Sequence, residues 1–240
     1  MRPFLALAVL LGTCATLPAC GGGTESTEAA PTSSTASATT AARPEPAVSA
    51  AADRRTTRHA ALELSNLPTG WTEPDPDGGA KRASAATCDG ASPHGPSVSS
   101  RTDVEFRNAP DGRVTQTVTM FKTEAAAAAM ISDLSSAKTR KCLAEYFDDR
   151  ADRQGAEGIE YDDATSAKLN VAPLGDGTAA FRISISASSG TYDRTFFTDA
   201  IATRIGRGVS LLQFSEVSPE EETDLTAAAH RRLSSSLAKQ

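Results

Sequence analysis

Apolar positions recur along this chain with two periods. From Ala179 to Ala187 they alternate, with Phe181, Ile183 and Ile185 on one side and Arg182, Ser184 and Ser186 on the other. That is the period of a strand with one face on a core and the other in water. Similar strand-like runs cover Lys168 to Val171, Thr191 to Ile205 and Gly208 to Phe214, with tight turns at Gly190 and Gly206-Arg207-Gly208. Further upstream, Asp103 to Asn108 and Arg113 to Phe121 alternate about Pro110-Asp111-Gly112 and predict a hairpin. The second period is helical. Thr123 is a good N-cap for a helix running through Ala125 to Ala129, with Ile131, Leu134, Lys138 and Cys142 spaced by three or four, so that Cys142 falls near its end. The five alanines read either as a small-residue face packed on the sheet, the preferred reading, or as helix propensity alone. Ser218-Pro219-Glu220-Glu221 combines an N-cap, a first-turn proline and a capping-box glutamate, ahead of a stripe of Leu225, Ala229, Leu233 and Leu237. Ala60 to Leu67 predicts a short helix or apolar turn, closed by Pro68-Thr69-Gly70 before Trp71, which is assigned to the core. The order α-ββ-α-ββββ-α predicts an α+β fold: an antiparallel β-sheet with helices packed mainly on one face, in a single domain.

The N-terminal fifth follows neither period. Met1-Arg2 is followed by an almost wholly apolar run from Phe4 to Leu17 and then Pro18-Ala19-Cys20. At 1.5 Å per residue, the 16 residues from Phe4 to Ala19 span about 24 Å, short of a permanent membrane crossing. This reads as a secretory leader over residues 1–19. The end of the run resembles the lipobox of bacterial lipoproteins, with Cys20 as the residue that would be acylated and become the new N-terminus. The alternative is ordinary secretory cleavage with Cys20 left as a thiol. From Cys20 to Thr57, 29 of 38 residues are Ala, Ser, Thr, Pro or Gly and Val48 is the only large aliphatic residue. Such a composition buries too little to offset its chain entropy, so residues 20–57 read as a disordered tether, bare or O-glycosylated. Residues 58–240 remain for the folded domain. The expected location is the extracytoplasmic face of the cell membrane, held by lipid.

Composition narrows the classes further. Hydrophobic residues at 39% and charged residues at 22% fit a globular domain, and a net charge of −6 argues against a nucleic-acid partner. With Cys14 in the leader and Cys20 lipidated, Cys88 and Cys142 remain in an oxidising compartment, which predicts one disulfide. A redox or metal pair is the weaker reading, since no CxxC spacing exists.

Sites of chemistry are sparse. The three histidines, His59, His94 and His230, have no ligand partner at helical or hairpin spacing, and His230 beside Arg231 and Arg232 reads as helix C-terminal charge. Nucleophile-elbow, phosphate-loop and zinc-protease motifs are absent. The acidic residues Asp75, Asp77, Asp148, Asp149, Asp152, Asp162 and Asp163 lack the full EF-hand pattern and read as solvated loop acids. No catalytic, cofactor or metal residue is assigned. Arg182 and Arg194, on neighbouring strands, are the candidate ligand contacts if both guanidinium groups share one exposed sheet face.

Several segments together resemble the extracellular sensor domain of PknH-type receptor kinases and related actinobacterial lipoproteins. They are Leu62-Glu63-Leu64-Ser65-Asn66-Leu67-Pro68-Thr69-Gly70-Trp71, Cys88 after a variable loop, the helix carrying Cys142, and Leu174-Gly175-Asp176-Gly177-Thr178-Ala179-Ala180-Phe181-Arg182. The resemblance implies a compact sheet-and-helix domain with a ligand cleft and no catalytic residues. Sensor domains of that type can carry two disulfides, whereas only Cys88 and Cys142 are available here. The resulting expectation is a noncatalytic lipoprotein whose domain binds a small molecule, lipid or envelope component. The alternative is a protein interaction module of the cell envelope.

Overall fold

A computed structural model describes residues 49–74, 88, 95, 97–109, 111–154, 159–190 and 192–239. The leader, most of the expected tether, Asp75, Asp77 and His94 lie outside these residues. Pro46–Gln240 forms one compact unit.

Its centre is a seven-stranded sheet in the order β1-β2-β7-β6-β5-β3, with β4 pairing beside β3 on the same edge of β5. The strands are β1 (Val98–Asn108), β2 (Gly112–Phe121), β3 (Glu160–Tyr161), β4 (Thr165–Lys168), β5 (Gly177–Ser189), β6 (Tyr192–Ile205) and β7 (Gly208–Ser215). All strand pairs are antiparallel. The hairpins at residues 98–121 and 177–215 agree with the alternation read from the sequence. The run expected at Lys168 to Val171 instead pairs earlier, as β4, and leaves Leu169 and Val171 to pack on the core. At the outer edge of β1, Thr72 bridges Arg107 through two backbone hydrogen bonds of 2.8 and 2.9 Å.

The helices are α1 (Ala50–Ala60), α2 (Glu124–Ser135), α3 (Ala137–Gln154) and α4 (Pro219–Leu237). The expected α+β class and antiparallel sheet are present, but the helices do not gather on one face. Ala127, Met130, Ile131 and Leu134 of α2 share a core with Phe181, Ile183, Ala200, Ala202 and Val209. Leu225 and Ala229 of α4 share another with Ala180, Ile201, Leu212 and Phe214. Neighbours such as Ala200 and Ile201 therefore point to opposite sides of the sheet. Thus α2 and α3 cover one face, and α1 and α4 the other. In β6 and β7 the strict alternation gives way to short apolar stretches, Ala200-Ile201-Ala202 and Leu211-Leu212, where both faces are covered.

Two further expectations change. The helix predicted from Thr123 to Cys142 is two helices, because Ser136 is extended (φ −73°, ψ 145°) and its Oγ accepts the Thr139 N–H at 3.1 Å. A serine hydroxyl that captures a backbone donor competes with helix continuation and caps the next helix instead. Cys142 consequently lies in the second turn of α3, and α3 absorbs Asp148 to Gln154, expected as loop. Of the five alanines only Ala127 is fully buried, while Ala125, Ala128 and Ala129 are exposed, so helix propensity explains most of the run.

The tether boundary is also displaced. Residues 50–57 are not disordered chain but most of α1, which packs on β1, β2 and α4. Its buried face is Asp53, Thr56, Thr57 and Ala60. Thr57 Oγ1 meets Ser100 Oγ at 3.1 Å and accepts from Thr102 Oγ1 at 2.9 Å. Asp53, wholly buried, accepts from Arg207 Nη2 at 3.0 Å and Nη1 at 3.3 Å. Just beyond, buried Gln116 accepts the Leu62 N–H at 2.6 Å and donates to Ser210 Oγ at 2.9 Å. This helix docks through polar side chains, which is why a search for apolar periodicity passes over it.

Trp71 is buried, as expected. The Leu174-Gly175-Asp176-Gly177 segment grips the β6–β7 turn: Asp176 Oδ2 accepts the Gly206 N–H at 2.6 Å, and Arg204 Nη2 donates to Asp176 O at 3.0 Å. Gly175 has φ +61°, and a Cβ there would stand 2.3 Å from Arg204 O, so only glycine fits. Cys88 and Cys142 form the expected disulfide, with Cα atoms 5.9 Å apart.

Candidate functional site

Arg182 and Arg194 occupy opposite faces of the sheet. Register decides this: Arg182 pairs with Asp199 and Arg194 with Ala187, and cross-strand partners share a face while positions an odd number apart do not. The expectation of one two-arginine anion site is therefore corrected, and each arginine heads its own cluster.

On the α2/α3 face, Arg194 donates through Nη2 to Glu216 Oε2 at 2.7 Å, lies 3.6 Å from Asp111 Oδ2, and stacks 4.8 Å over the Phe196 ring. The open part of this face beside it is a ladder of matched charges. Arg101 pairs with Asp103, and Glu105 with both Arg107 and Arg113 at 2.8 and 2.9 Å. Burial would raise the Glu105 pKa, but hydrogen bonds and positive charge from Arg107 and Arg113 hold it below the ordinary value. Because each cation meets a carboxylate here, little unbalanced charge is left for a ligand.

The α1/α4 face carries the more unusual cluster. Arg182 on β5 makes a two-pronged pair with Asp199 on β6, Nε to Oδ1 at 2.6 Å and Nη2 to Oδ2 at 2.5 Å. The Asp199 side chain is 3% exposed and that of Arg182 is 37% exposed. Hydrogen bonding to Asp199 pushes the Arg182 pKa further up. The first turn of α4, set by the Ser218–Glu221 capping box, brings half-buried Glu222 to hydrogen-bond with Asp199. Burial, reinforced by the Asp199 charge and only partly opposed by Arg182, pushes the Glu222 pKa from its usual 4.5 to about 7. Two carboxyl groups thus share one guanidinium, and Glu222 takes up a proton as the pH falls through about 7.

Phe197 adjoins this cluster, with the Arg182 guanidinium 4.9 Å over its ring. Its side is open: Phe197 is 42% exposed, one of two large apolar side chains so placed among the described residues. Ser184 opposes it across the strands, followed by Ser186 and Thr195, joined by a 3.0 Å hydrogen bond. The result is a shelf with an aromatic floor, hydroxyls at one end and an ionised wall at the other. Sequence reasoning found Arg182 but missed Asp199, Phe197 and Glu222. Asp199 and Phe197 follow from the hairpin register about Gly190, whereas Glu222 arrives only through tertiary packing.

The remaining candidates stand apart. His59 is in the last turn of α1, and His230 packs beside Gly175 with its Nδ1 buried and without a hydrogen-bond partner among the described residues. Asp148 accepts the Ala164 N–H at 2.9 Å, which gives it a structural task. No group of three or more His, Cys, Asp or Glu side chains suited to a metal ion occurs among the described residues. Nor is any described helix long and apolar enough to cross a membrane.

The fold and site together define a single-domain α+β protein with a disulfide and a carboxyl–guanidinium cluster beside an exposed aromatic shelf. No protein-family profile matches the chain, and no curated protein matches it.

The Glu222 carboxyl has a measurable consequence. Its pKa is raised in the folded state, so its favourable contribution is complete below about pH 4.5 and is lost as the pH rises through about 7. Glu222→Gln is expected to flatten that fall. It should make the protein more stable above pH 7 by about 1–2 kcal/mol, a figure reduced for the solvent that still reaches the group. Urea unfolding at a series of pH values checks this, and parallel pH profiles for the two proteins would refute it.

Proposed function

We propose that this chain is a lipid-anchored, noncatalytic domain of the outer face of the cell membrane that binds a small envelope molecule on the shelf around Phe197. The observation that carries the reading is the half-open Phe197 ring under Arg182, in a domain that covers nearly all its other large apolar side chains. A ligand would lay an apolar face on Phe197, meet hydroxyl groups of Ser184 and Ser186, and offer hydrogen bonds to Arg182 or Glu222. The Cys88–Cys142 disulfide suits an oxidising compartment. The leader and Cys20 supply the address, and the resemblance to PknH-type sensor domains supports a sensing or binding role without catalysis.

Native mass spectrometry of the mature chain from an exporting host should show an added mass that is lost on denaturation and absent from Phe197→Ser. A clean unliganded mass for both proteins would count against the shelf and favour the envelope interaction module. The anchor has its own test. Cys20→Ser should move the protein from the membrane fraction to the medium, and continued membrane retention would sink the lipidation reading.

A further inference from the structure

Along α1 and at the C-terminal end of α4 the outer side of the α1–α4 layer is basic, in a chain whose net charge is −6, whereas the first turns of α4 carry Glu220, Glu221 and Asp224. Arg54, Arg55, Arg58 and His59 are exposed on α1, and Arg231 and Lys239 are exposed near the end of α4. Outside this layer, every arginine with a described side chain meets a carboxylate, or in the case of Arg140 a backbone carbonyl. Within it the pattern reverses. Arg232 pairs with Glu63 at 2.5 Å, but Arg54, Arg55, Arg58, Arg231 and Lys239 form no ion pair among the described residues. Helix-dipole stabilisation accounts for Arg58 and His59 in the last turn of α1, but not for Arg54 and Arg55 halfway along it. Where the two helices end, His59, Arg231, Arg232, Ser235, Ser236 and Lys239 line an open groove of about 330 Å³. Its cations and hydroxyls match a phosphate group in charge and donors.

We infer that this layer is a membrane-docking surface that lies on anionic phospholipid, with the groove taking a lipid phosphate. Position in the chain selects a bilayer over other anionic partners. α1 begins 30 residues after Cys20, so an anchor there keeps this layer within about 30 Å of the lipid headgroups. In this respect the inference rests on the proposed lipid anchor. Docking would turn the α2/α3 face of the sheet away from the membrane.

The test uses the mature chain with Cys20→Ser, so that no acyl chain contributes and a failure of the anchor is scored separately. Cosedimentation is measured with vesicles of phosphatidylcholine alone and of equimolar phosphatidylcholine and phosphatidylglycerol. Binding to the anionic vesicles, weakened by salt, is expected. Each basic residue near such a surface contributes about fivefold to partitioning, so Arg54→Glu/Arg55→Glu/Arg58→Glu should lose at least about a hundredfold. Lys138→Glu/Lys141→Glu/Arg153→Glu on α3 makes the same change in net charge on the opposite side of the sheet and should leave most binding intact. Should the α1 variant fail to fold, Arg231→Gln/Lys239→Gln on α4 removes two of the charges and should lose about 25-fold. No binding to anionic vesicles, equal binding to neutral ones, or equal losses in the α1 and α3 variants would overturn the proposal.

Discussion

Asp53→Ala should destabilise the domain by about 3–5 kcal/mol, the cost of removing one partner from a buried ion pair and leaving the other uncompensated. Asp53 is wholly buried, and the Arg207 side chain that reaches it is 11% exposed and also donates to Phe121 O at 2.7 Å. That guanidinium has little water to fall back on. The pair also joins α1 to the β6–β7 turn, so the loss extends to the docking of the whole helix. Arg207→Ala should cost a similar amount, and the double variant less than the sum of the two, because each single change already removes the same interaction. Urea unfolding with an unchanged m value is the measurement. A loss below about 1 kcal/mol for Asp53→Ala would mean that α1 is held by its threonines and alanine alone.

Cys88→Ala/Cys142→Ala should cost about 4 kcal/mol, the chain-entropy value for a crosslink between residues 54 apart. Cys88 is 2% exposed and sits in the core with Phe121, Ile131 and Phe181, so truncation also removes packing there. The bond ties Cys88 to the second turn of α3. Equilibrium unfolding of the oxidised protein, the reduced protein and the double variant separates the contributions. The reduced protein should unfold at a urea concentration well below the oxidised one, and the double variant at a somewhat lower one again. If reduction left the midpoint unmoved, the crosslink would have no thermodynamic role.

Much of the architecture could be read before any coordinates, for identifiable reasons. The strands of the two hairpins advertise themselves because Phe181, Ile183, Val114 and Val118 alternate with polar neighbours. Likewise α4 announces both its cap and its stripe. The two-layer covering of the sheet was also present in the sequence, in Ala200-Ile201-Ala202 and Leu211-Leu212, where alternation fails because both faces are buried. By contrast α1 was invisible, since its inward face is an aspartate, two threonines and an alanine, residues that composition assigns to a solvated tether. Ser136 was missed because apolar spacing continues across it, and a single hydroxyl decides the break. For the site, Arg182 was legible as an outward-facing residue of an alternating strand, but its meaning needed the register that sets Asp199 against it. Glu222 needed the packing of α4, which no local pattern encodes.

The polar docking of α1 bears on the order in which the molecule is completed. Its partners are β1 and β2, the turn at Arg207, and α4, which ends at Leu237. A chain emerging N-terminus first delivers α1 long before it delivers Arg207 or α4. An isolated 11-residue helix is marginal in water and has few large apolar groups with which to wait in a collapsed intermediate. Although synthesised early, α1 is therefore among the last described elements to be secured, since part of its contact surface is the final helix. Until then Asp53 and Arg207 both remain hydrated, and their joint burial requires the chain to have emerged at least through the β6–β7 turn.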